Sequence, residues 1–452
     1  MKTFRLFFCA CCCAVMVQGA SLAQQVAGTA TTRTFTLEEC LKIATGENLD
    51  VQNALAQAQD AAAQTRSAFG QYLPNASISL AYSRTLNERS AFNQGGQVIE
   101  IPILNRDLFF AQGNVNYTIF DGLARENNNA AAQANVTSAD NNAAQVRRRT
   151  LNTIRGQYFS VLRAKQTLRI RREDFEVGKK QLERLRAQYE AGVVAIAPVF
   201  TQEADLANRE LAIVQAENDL DLAKGTILTT LGMNPSANVD FSDIQIPATI
   251  TEADIKAFRS TIGEFTQAQT TATDKRLDIV AAKASVEAAQ SSTKAAQASW
   301  LPTLGAGYNY NWNGNSLTGF EYGRQGLGLS LDYTIFNGFQ REVSIQRAQI
   351  REQQSLIQKR AAEQRVSADV QNAFIQLNSA EKSLDITTRA IKAAQQNFDA
   401  AEERFKVGAA NILDYTTANS NLATAKINRS NALYNYLAAQ FQMKFALGLL
   451  DE

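Results

Sequence analysis

The sequence predicts an α+β membrane protein built from two tandem copies of one unit. Three observations predict it: proline is scarce, an aromatic hexapeptide recurs at a fixed offset, and short period-2 segments alternate with very long helical ones. The chain has 452 residues and six prolines, where average usage would give roughly 23. Those six are Pro74, Pro102, Pro198, Pro235, Pro247 and Pro302. They leave 103–197 and 303–452 free of the residue that breaks helices, so very long uninterrupted helices are allowed.

The hexapeptide YTIFDG at 117–122 returns as YTIFNG at 333–338, an offset of 216. The same offset aligns Gly192 with Gly408, Ala207 with Ala423, and Leu231-Gly232 with Leu447-Gly448. Upstream, Tyr72-Leu73-Pro74 pairs with Trp300-Leu301-Pro302, and Leu49-Asp50-Val51 with Leu277-Asp278-Ile279, at an offset of 228. The first copy therefore carries 12 extra residues between its proline and its YTIF segment. Each copy reads helix, strand, loop, strand, long helix, turn, helix. The first, 24–232, is expected to hold a helix at 36–72, strands at 75–86 and 109–120, a long helix at 122–190 and a return helix at 198–232. The second, 274–452, is expected to hold a helix at 274–300, strands at 303–313 and 326–336, a long helix at 338–406 and a return helix at 412–449. The stretch 24–35 reads as loose, and 233–273, with two prolines, as a linker or equatorial segment with a little structure of its own.

Lys2 and Arg5 precede an apolar run from Leu6 to Val17 and a small-residue stretch, the three-part pattern of a signal peptide at 1–23 with cleavage after Ala23. Twelve apolar residues are too few for a retained membrane anchor. Cys9, Cys11, Cys12 and Cys13 lie in that segment. Acylation of one of them is the weaker reading, because the apolar run ahead of each is short. The mature chain then keeps only Cys40, which forbids an internal disulfide. No later window approaches 18 consecutive apolar residues, so a membrane crossing would have to be a closed β-barrel.

Composition narrows the function. With 45 basic and 44 acidic residues, the net charge of +1 creates no field for nucleic acid or an anionic surface. There is no histidine, which removes Ser-His-Asp, Cys-His and His-zinc chemistry. A glycine-rich phosphate loop and paired cysteines are also missing, so no enzyme activity and no cofactor are expected. Cys40, Met233 and Met443 are too few soft ligands for a metal-specific route.

The strand segments alternate. After Pro302, Leu304, Ala306, Tyr308, Tyr310 and Trp312 share one face and Thr303, Gly305, Gly307, Asn309 and Asn311 the other. The later segment sets Leu327, Leu329, Leu331, Tyr333 and Ile335 against Gly328, Ser330, Asp332 and Thr334. In the first copy Ile78, Leu80 and Tyr82 oppose Ser77, Ser79 and Ser83, and Val115, Tyr117 and Ile119 oppose Asn114, Asn116 and Thr118. This is the lipid-out, polar-in pattern of membrane barrels, with Tyr82, Tyr117, Tyr308, Tyr310, Trp312 and Tyr333 as lipid-facing aromatics. A soluble antiparallel sheet with one wet face shows the same alternation. Four strands cannot close a barrel. Two copies of the chain would give eight and a lumen filled by side chains, whereas three would give twelve with room for water. The inward Ser, Asn, Gly and Thr are too small and polar for a dry core, which favours a homotrimer.

In the helical stretches, Ile154, Val161, Leu168, Phe175, Leu182 and Tyr189 recur every seven residues, as do Val370, Leu377, Leu384, Ile391, Phe398 and Phe405. Sustained heptads predict coiled-coil packing. Each stretch of about 67 residues would run roughly 100 Å before reversing at a turn capped by Gly192 or Gly408. The basic runs Arg147-Arg148-Arg149 and Arg169 with Arg171-Arg172 read as solvated helix faces.

A signal peptide, two copies of this unit, two strands per copy, the YTIFDG and YTIFNG junctions and the glycine turns together resemble the TolC-type outer-membrane efflux factors, over essentially all of the mature chain. The resemblance implies a trimer with a 12-stranded barrel in outer-membrane lipid, continuous with an α-helical tunnel across the periplasm. It implies docking at the helical tips to a periplasmic adaptor protein and an inner-membrane pump of the RND or ABC type. The expected role is passive conduction in a tripartite efflux or type I secretion system. The alternative is a soluble periplasmic coiled-coil adaptor or structural protein without a pore.

The family's closed tip typically carries an Asp six residues after the turn glycine and, in the second copy, another three residues later. Asp414 matches the first, Thr417 stands at the second, and Pro198 is the first-copy equivalent. A Tyr and an Arg that latch the archetype shut correspond to Phe405 and Ala410, with Tyr189 at the matching place in the first copy. A strong acidic ring and a polar latch are therefore in doubt. Asp414 also fits the first turn of any helix, where the dipole favours a carboxylate, and Pro198 fits a helix start.

Overall fold

The computed structural model describes residues 33–86, 89–102, 107–243, 247, 249–314 and 323–450. The signal-peptide reading, with Cys9, Cys11, Cys12 and Cys13, falls outside the described residues. The first half contains β1 (Arg33–Phe35), α1 (Leu37–Glu47), α2 (Leu49–Gly70), β2 (Asn75–Arg84), β3 (Arg89–Gln94), β4 (Gln97–Pro102), β5 (Asp107–Phe120), α3 (Ala124–Glu190) and α4 (Ala197–Thr230). Then follow β6 (Val239–Phe241), α5 (Glu252–Ile262), α6 (Phe265–Lys275), α7 (Leu277–Gln297), β7 (Thr303–Gly314), β8 (Arg324–Asp332), α8 (Gln340–Lys406) and α9 (Ile412–Ala446).

The two long helices, α3 and α8, each have 67 residues and so run about 100 Å. α4 packs on α3, α3 on α9, and α9 on α8, which makes a wall in that order. Its seam is the heptad set. Ile154, Val161, Val370 and Leu377 are fully buried, and Leu168 and Leu384 nearly so. Burial fades toward the turns, where Phe175, Ile391, Phe398 and Phe405 are half-buried and Tyr189 is exposed.

The single helix expected at 36–72 is two helices meeting at a corner, and the one expected at 274–300 is α7, with a matching corner just ahead of it where α6 ends. Asn48 (φ −69°, ψ 127°) and Arg276 (φ −73°, ψ 123°) adopt the same extended conformation between α1 and α2 and between α6 and α7. The reason is long-range. The Asn48 amide donates to the Thr230 carbonyl at the end of α4 (2.7 Å) and accepts from the Val51 N–H (3.1 Å). Arg276 donates to Asp278 (2.6 Å) and to Asp369 on α8 (3.1 Å).

Where it is described, 24–35 is not loose, and 233–273 carries its structure as β6, α5 and α6. Arg33–Phe35 pairs in parallel with Val239–Phe241, α6 lies along α8, and α5 reaches α8 through Arg259. Phe35, Phe241, Ala268 and Ala272 are buried in the main core. The Tyr158 hydroxyl donates to the carbonyls of Phe35 and Ser242, and Arg259 grips Glu381 on α8. These apolar residues stand singly among polar ones and gave no periodic signal, yet each is buried in the core. This equatorial layer thickens the wall midway along the long helices.

The 12-residue excess of the first copy is a β-hairpin, not a loop. β3 and β4 pair antiparallel through a two-residue turn at Gly95 (φ 66°) and Gly96 (φ 91°), the conformation such tight hairpins require. Pro102 closes β4 at a strand end, where its missing N–H is tolerated.

Candidate functional site: the strand wall and the helical tips

The four expected strands form one sheet in the order β2-β5-β7-β8, every neighbour antiparallel. Directly paired residues share a face. The register sets Leu80 against Ala111 and Ala111 against Trp312. It likewise aligns Val115 with Tyr308 and Tyr308 with Leu327. Tyr82, Tyr117, Tyr308, Tyr310 and Trp312 therefore lie on one apolar face, where Tyr82, Tyr117 and Tyr308 are exposed. The opposite face pairs Ser77 with Asn114, Asn114 with Asn309, and Gly307 with Gly328.

Two of the expected aromatics depart from that picture. Trp312 is only 5% exposed, its ring folded back against Gly314. Tyr333 falls after the end of β8 at Asp332, so the second YTIF segment lies beyond the strand, whereas the first is inside β5. β5 is paired on both sides from Phe109 to Asn116 and with β7 on as far as Phe120, while β8 is an edge whose ladder stops at Asp332.

The strand-to-helix junctions share a device that sequence reasoning missed. Leu123 (φ 69°) and Phe339 (φ 64°) are held in the left-handed region just before α3 and α8. The Arg125 guanidinium donates to the carbonyls of Thr118 (2.8 Å) and Ile119 (3.1 Å), pairs with Asp121 (3.0 Å) and lies over the Tyr72 ring (5.3 Å). Arg341 reaches the Thr334 carbonyl and lies over the Trp300 ring (4.3 Å). Both arginines are buried, and each ties a strand end, a strained turn and the preceding helix together. The signal was available, since each arginine stands three residues past its hexapeptide glycine at the 216 offset.

At the far end, α3 and α8 close on identical caps. The Val193 N–H donates to the Gln188 carbonyl (2.9 Å) and the Gly192 N–H to Tyr189 (2.8 Å). The Ala409 and Gly408 N–H groups do the same to Arg404 (2.8 Å) and Phe405 (3.1 Å). Gly192 and Gly408 both have φ 74°. Pro198 lies in the first turn of α4. Phe405 stacks on Tyr415 (5.4 Å) and joins Leu182, Leu185, Val199, Leu206 and Ile412 in one small apolar cluster. Tyr189 is outside that cluster and exposed. Asp414 and Thr417 project one turn apart into solvent, and the Asp414 N–H is capped by the Asn411 side chain (2.8 Å).

A buried polar node ties α3, α4 and α9 above the tips. Arg209 on α4 pairs with Asp174 on α3 and with Asp205 (2.7 Å), and Asn419 on α9 donates to Asp174 (2.7 Å). Burial pushes the Asp174 carboxyl up, against the pull of Arg209. Nothing in the local sequence marks these residues, because the three helices meet only in the fold. Among the described residues there is no helix long and apolar enough to cross a membrane and no acidic, His or Cys cluster able to hold a metal.

Comparison with known proteins agrees with this architecture. The family model described as Outer membrane efflux protein matches residues 40–233 and 269–449, one block for each copy. The chain is 27% identical to outer membrane protein TolC of Vibrio cholerae over 328 residues, covering 71% of this chain and 72% of that one. It is 26% identical to TolC of Escherichia coli K12 over 309 residues, 65% of this chain and 60% of the relative's length. The fold matches the crystal structure of VceC from Vibrio cholerae with a TM-score of 0.75 at 18% identity, over 91% of this chain and 96% of that one. The chain belongs to the outer membrane efflux protein family.

Proposed function

We propose that three copies of this outer-membrane efflux protein close a twelve-stranded barrel that opens into a helical tunnel, forming a passive duct. The observation that carries the proposal is the sheet's two open edges. β2 and β8 each pair on one side only within the chain, and strand direction alternates across the sheet. β8 of one copy is thus antiparallel to β2 of the next, and the pattern repeats without a break until it closes. Lipid is the matching solvent for the outward face, on which Ile78, Leu80, Leu327, Leu329 and Leu331 are all 69% or more exposed.

The helical wall ends in the same way. α4 leaves Phe200, Leu211, Val214 and Leu222 exposed, and α8 leaves Ile350, Ile357 and Ile386 exposed. These stripes lie at the two edges of the wall, where neighbouring copies would meet. A periplasmic adaptor docked at the tips and an inner-membrane pump that supplies the energy complete the assembly, with the conduit itself performing no chemistry.

Purified protein in a planar bilayer is expected to give discrete conductance steps. Well-folded protein that leaves bilayers silent, and that partitions into the aqueous fraction of lysed cells, would instead support a soluble coiled-coil role.

A further inference from the structure

Midway along the wall, α3, α9 and α8 enclose a groove of about 830 Å³, within the size range of small-molecule sites. Its lining mixes neutral hydrogen-bonding groups, among them Asn152, Gln376, Ser383, Asn435 and Gln442, with apolar Ile375, Ala380, Ala438, Ala439 and the Phe441 ring. The groove faces away from the equatorial layer. On α3, Tyr158 and Lys165 bond that layer, whereas Asn152 and Gly156 line the groove half a helical turn away. On α8, Phe374 and Glu381 touch the layer and Gln376 and Ser383 line the groove. A second layer inside a tunnel would plug it. In the duct proposed above, on which this inference rests, the layer is therefore outside and the groove opens to the lumen. α9 also lies between α3 and α8, so the groove stands away from the free α4 edge of the wall.

The charges around this groove are one-sided. No lining residue is charged. Three cations engage the lining from its border: Arg155 lies over the Phe441 ring at 5.3 Å, Lys444 over the same ring at 5.8 Å, and Arg163 donates to the Asn435 amide at 3.2 Å. Among the described residues none of the three has a carboxylate within ion-pair distance, whereas Arg172, Arg186, Arg209, Arg259 and Arg276 each do. One guanidinium nitrogen of Arg155 is buried without a hydrogen-bond partner. Burial also pushes the Arg155 guanidinium down, the situation a bound anion relieves.

We propose that this groove is a lumenal binding site for organic anions, carboxylate-bearing solutes with an apolar or aromatic body. The cations at its border hold the charge, Phe441 takes the ring, and the amides and hydroxyls satisfy the remaining polar atoms. Such a site would retain anionic cargo briefly in a channel whose overall net charge is close to zero.

The probe is benzene-1,3,5-tricarboxylate, with the uncharged benzene-1,3,5-tricarboxamide as control, in two measurements on the full-length detergent-solubilised protein. Calorimetry is expected to show the carboxylate binding at least tenfold more tightly than the amide, with Lys444→Gln and Arg155→Gln each weakening it several-fold and Arg155→Lys restoring most of it. Lys444 is exposed, so its variant keeps the fold even where an Arg155 change does not. Bilayer recordings are expected to show concentration-dependent block by the carboxylate, reduced in Lys444→Gln. Equal affinity for the two probes, or unchanged affinity in both neutralised variants, overturns the site. Normal conductance steps without block, together with either calorimetric failure, reject the groove and leave the duct standing. Silent bilayers reject the duct, and calorimetry then decides the groove alone.

Discussion

The tips and the equator of this protein use the same backbone cap in opposite surroundings. Gly192 and Gly408 end the long helices at the tips, while Gly232 and Gly448 end the return helices at the equator. All four have φ between 69° and 74° and the same pair of hydrogen bonds back into the last helical turn. At the tips a Cβ on the glycine would meet nothing within 4 Å. At the equator it would stand 2.7 Å from the Glu47 carbonyl oxygen at Gly232, and 3.0 Å from the Lys275 carbonyl at Gly448. Local chemistry therefore stops every helix alike, and tertiary packing decides which stops are locked. The equator is a two-layer clamp, whereas the tip rests on a small apolar cluster.

The widest gap should come from cutting the core at each level. Leu377→Ala, at a fully buried equatorial position, is expected to cost about 3 kcal/mol, and Phe405→Ala, half-buried at the tip, about 1 kcal/mol. Thermal unfolding reads both, and single-channel conductance should rise only for the tip variant. Similar losses of stability would mean that the tip is as tightly packed as the equator. The glycines sharpen the comparison further. Gly408→Ala should cost about 1 kcal/mol for the left-handed backbone alone, and Gly232→Ala about 2 kcal/mol more because its methyl meets backbone. Equal melting temperatures would erase the distinction.

Charge effects are expected to be smaller. Asp414→Asn should shift stability by less than about 0.5 kcal/mol, because the carboxylate is exposed in the first turn of α9. It should nevertheless weaken block by divalent cations applied from the periplasmic side. Unchanged block would remove the aperture role and leave only the helix-start role. At the equator, burial would raise the Asp240 carboxyl, but the hydrogen bonds from Lys165 and the Phe241 backbone, together with the charges of Lys165 and Lys224, outweigh it and hold the group below its ordinary value. A lowered acid contributes stability that is present above its unfolded pKa and lost as pH falls through the folded value. The small cost of Asp240→Asn, clear at pH 7, is therefore expected to vanish in melting curves taken below the ordinary carboxylate range.

The parts legible in the sequence are those governed by periodicity. Alternation fixed the faces of β2, β5, β7 and β8, and the heptads marked the buried seam of α3 and α8, because both patterns repeat within one element. The corners at Asn48 and Arg276 were not read, since each is stabilised by a group roughly 90 or more residues away, Thr230 or Asp369. Asp174, Arg209 and Asn419 escaped for the same reason. Arg125 and Arg341 were within reach, because the repeat that aligned the hexapeptides also aligned them.

By itself the sequence determined the duplicated unit, the four membrane-type strands and the two helices of about 67 residues, because side-chain period, proline placement and glycine caps act within one turn or one strand. Only the tertiary structure decided where the wall is doubled, which glycines are locked, and that cations with no carboxylate partner border a neutral groove. Those features depend on side chains from distant segments meeting at one depth of the wall, and no local pattern encodes a distance across the fold.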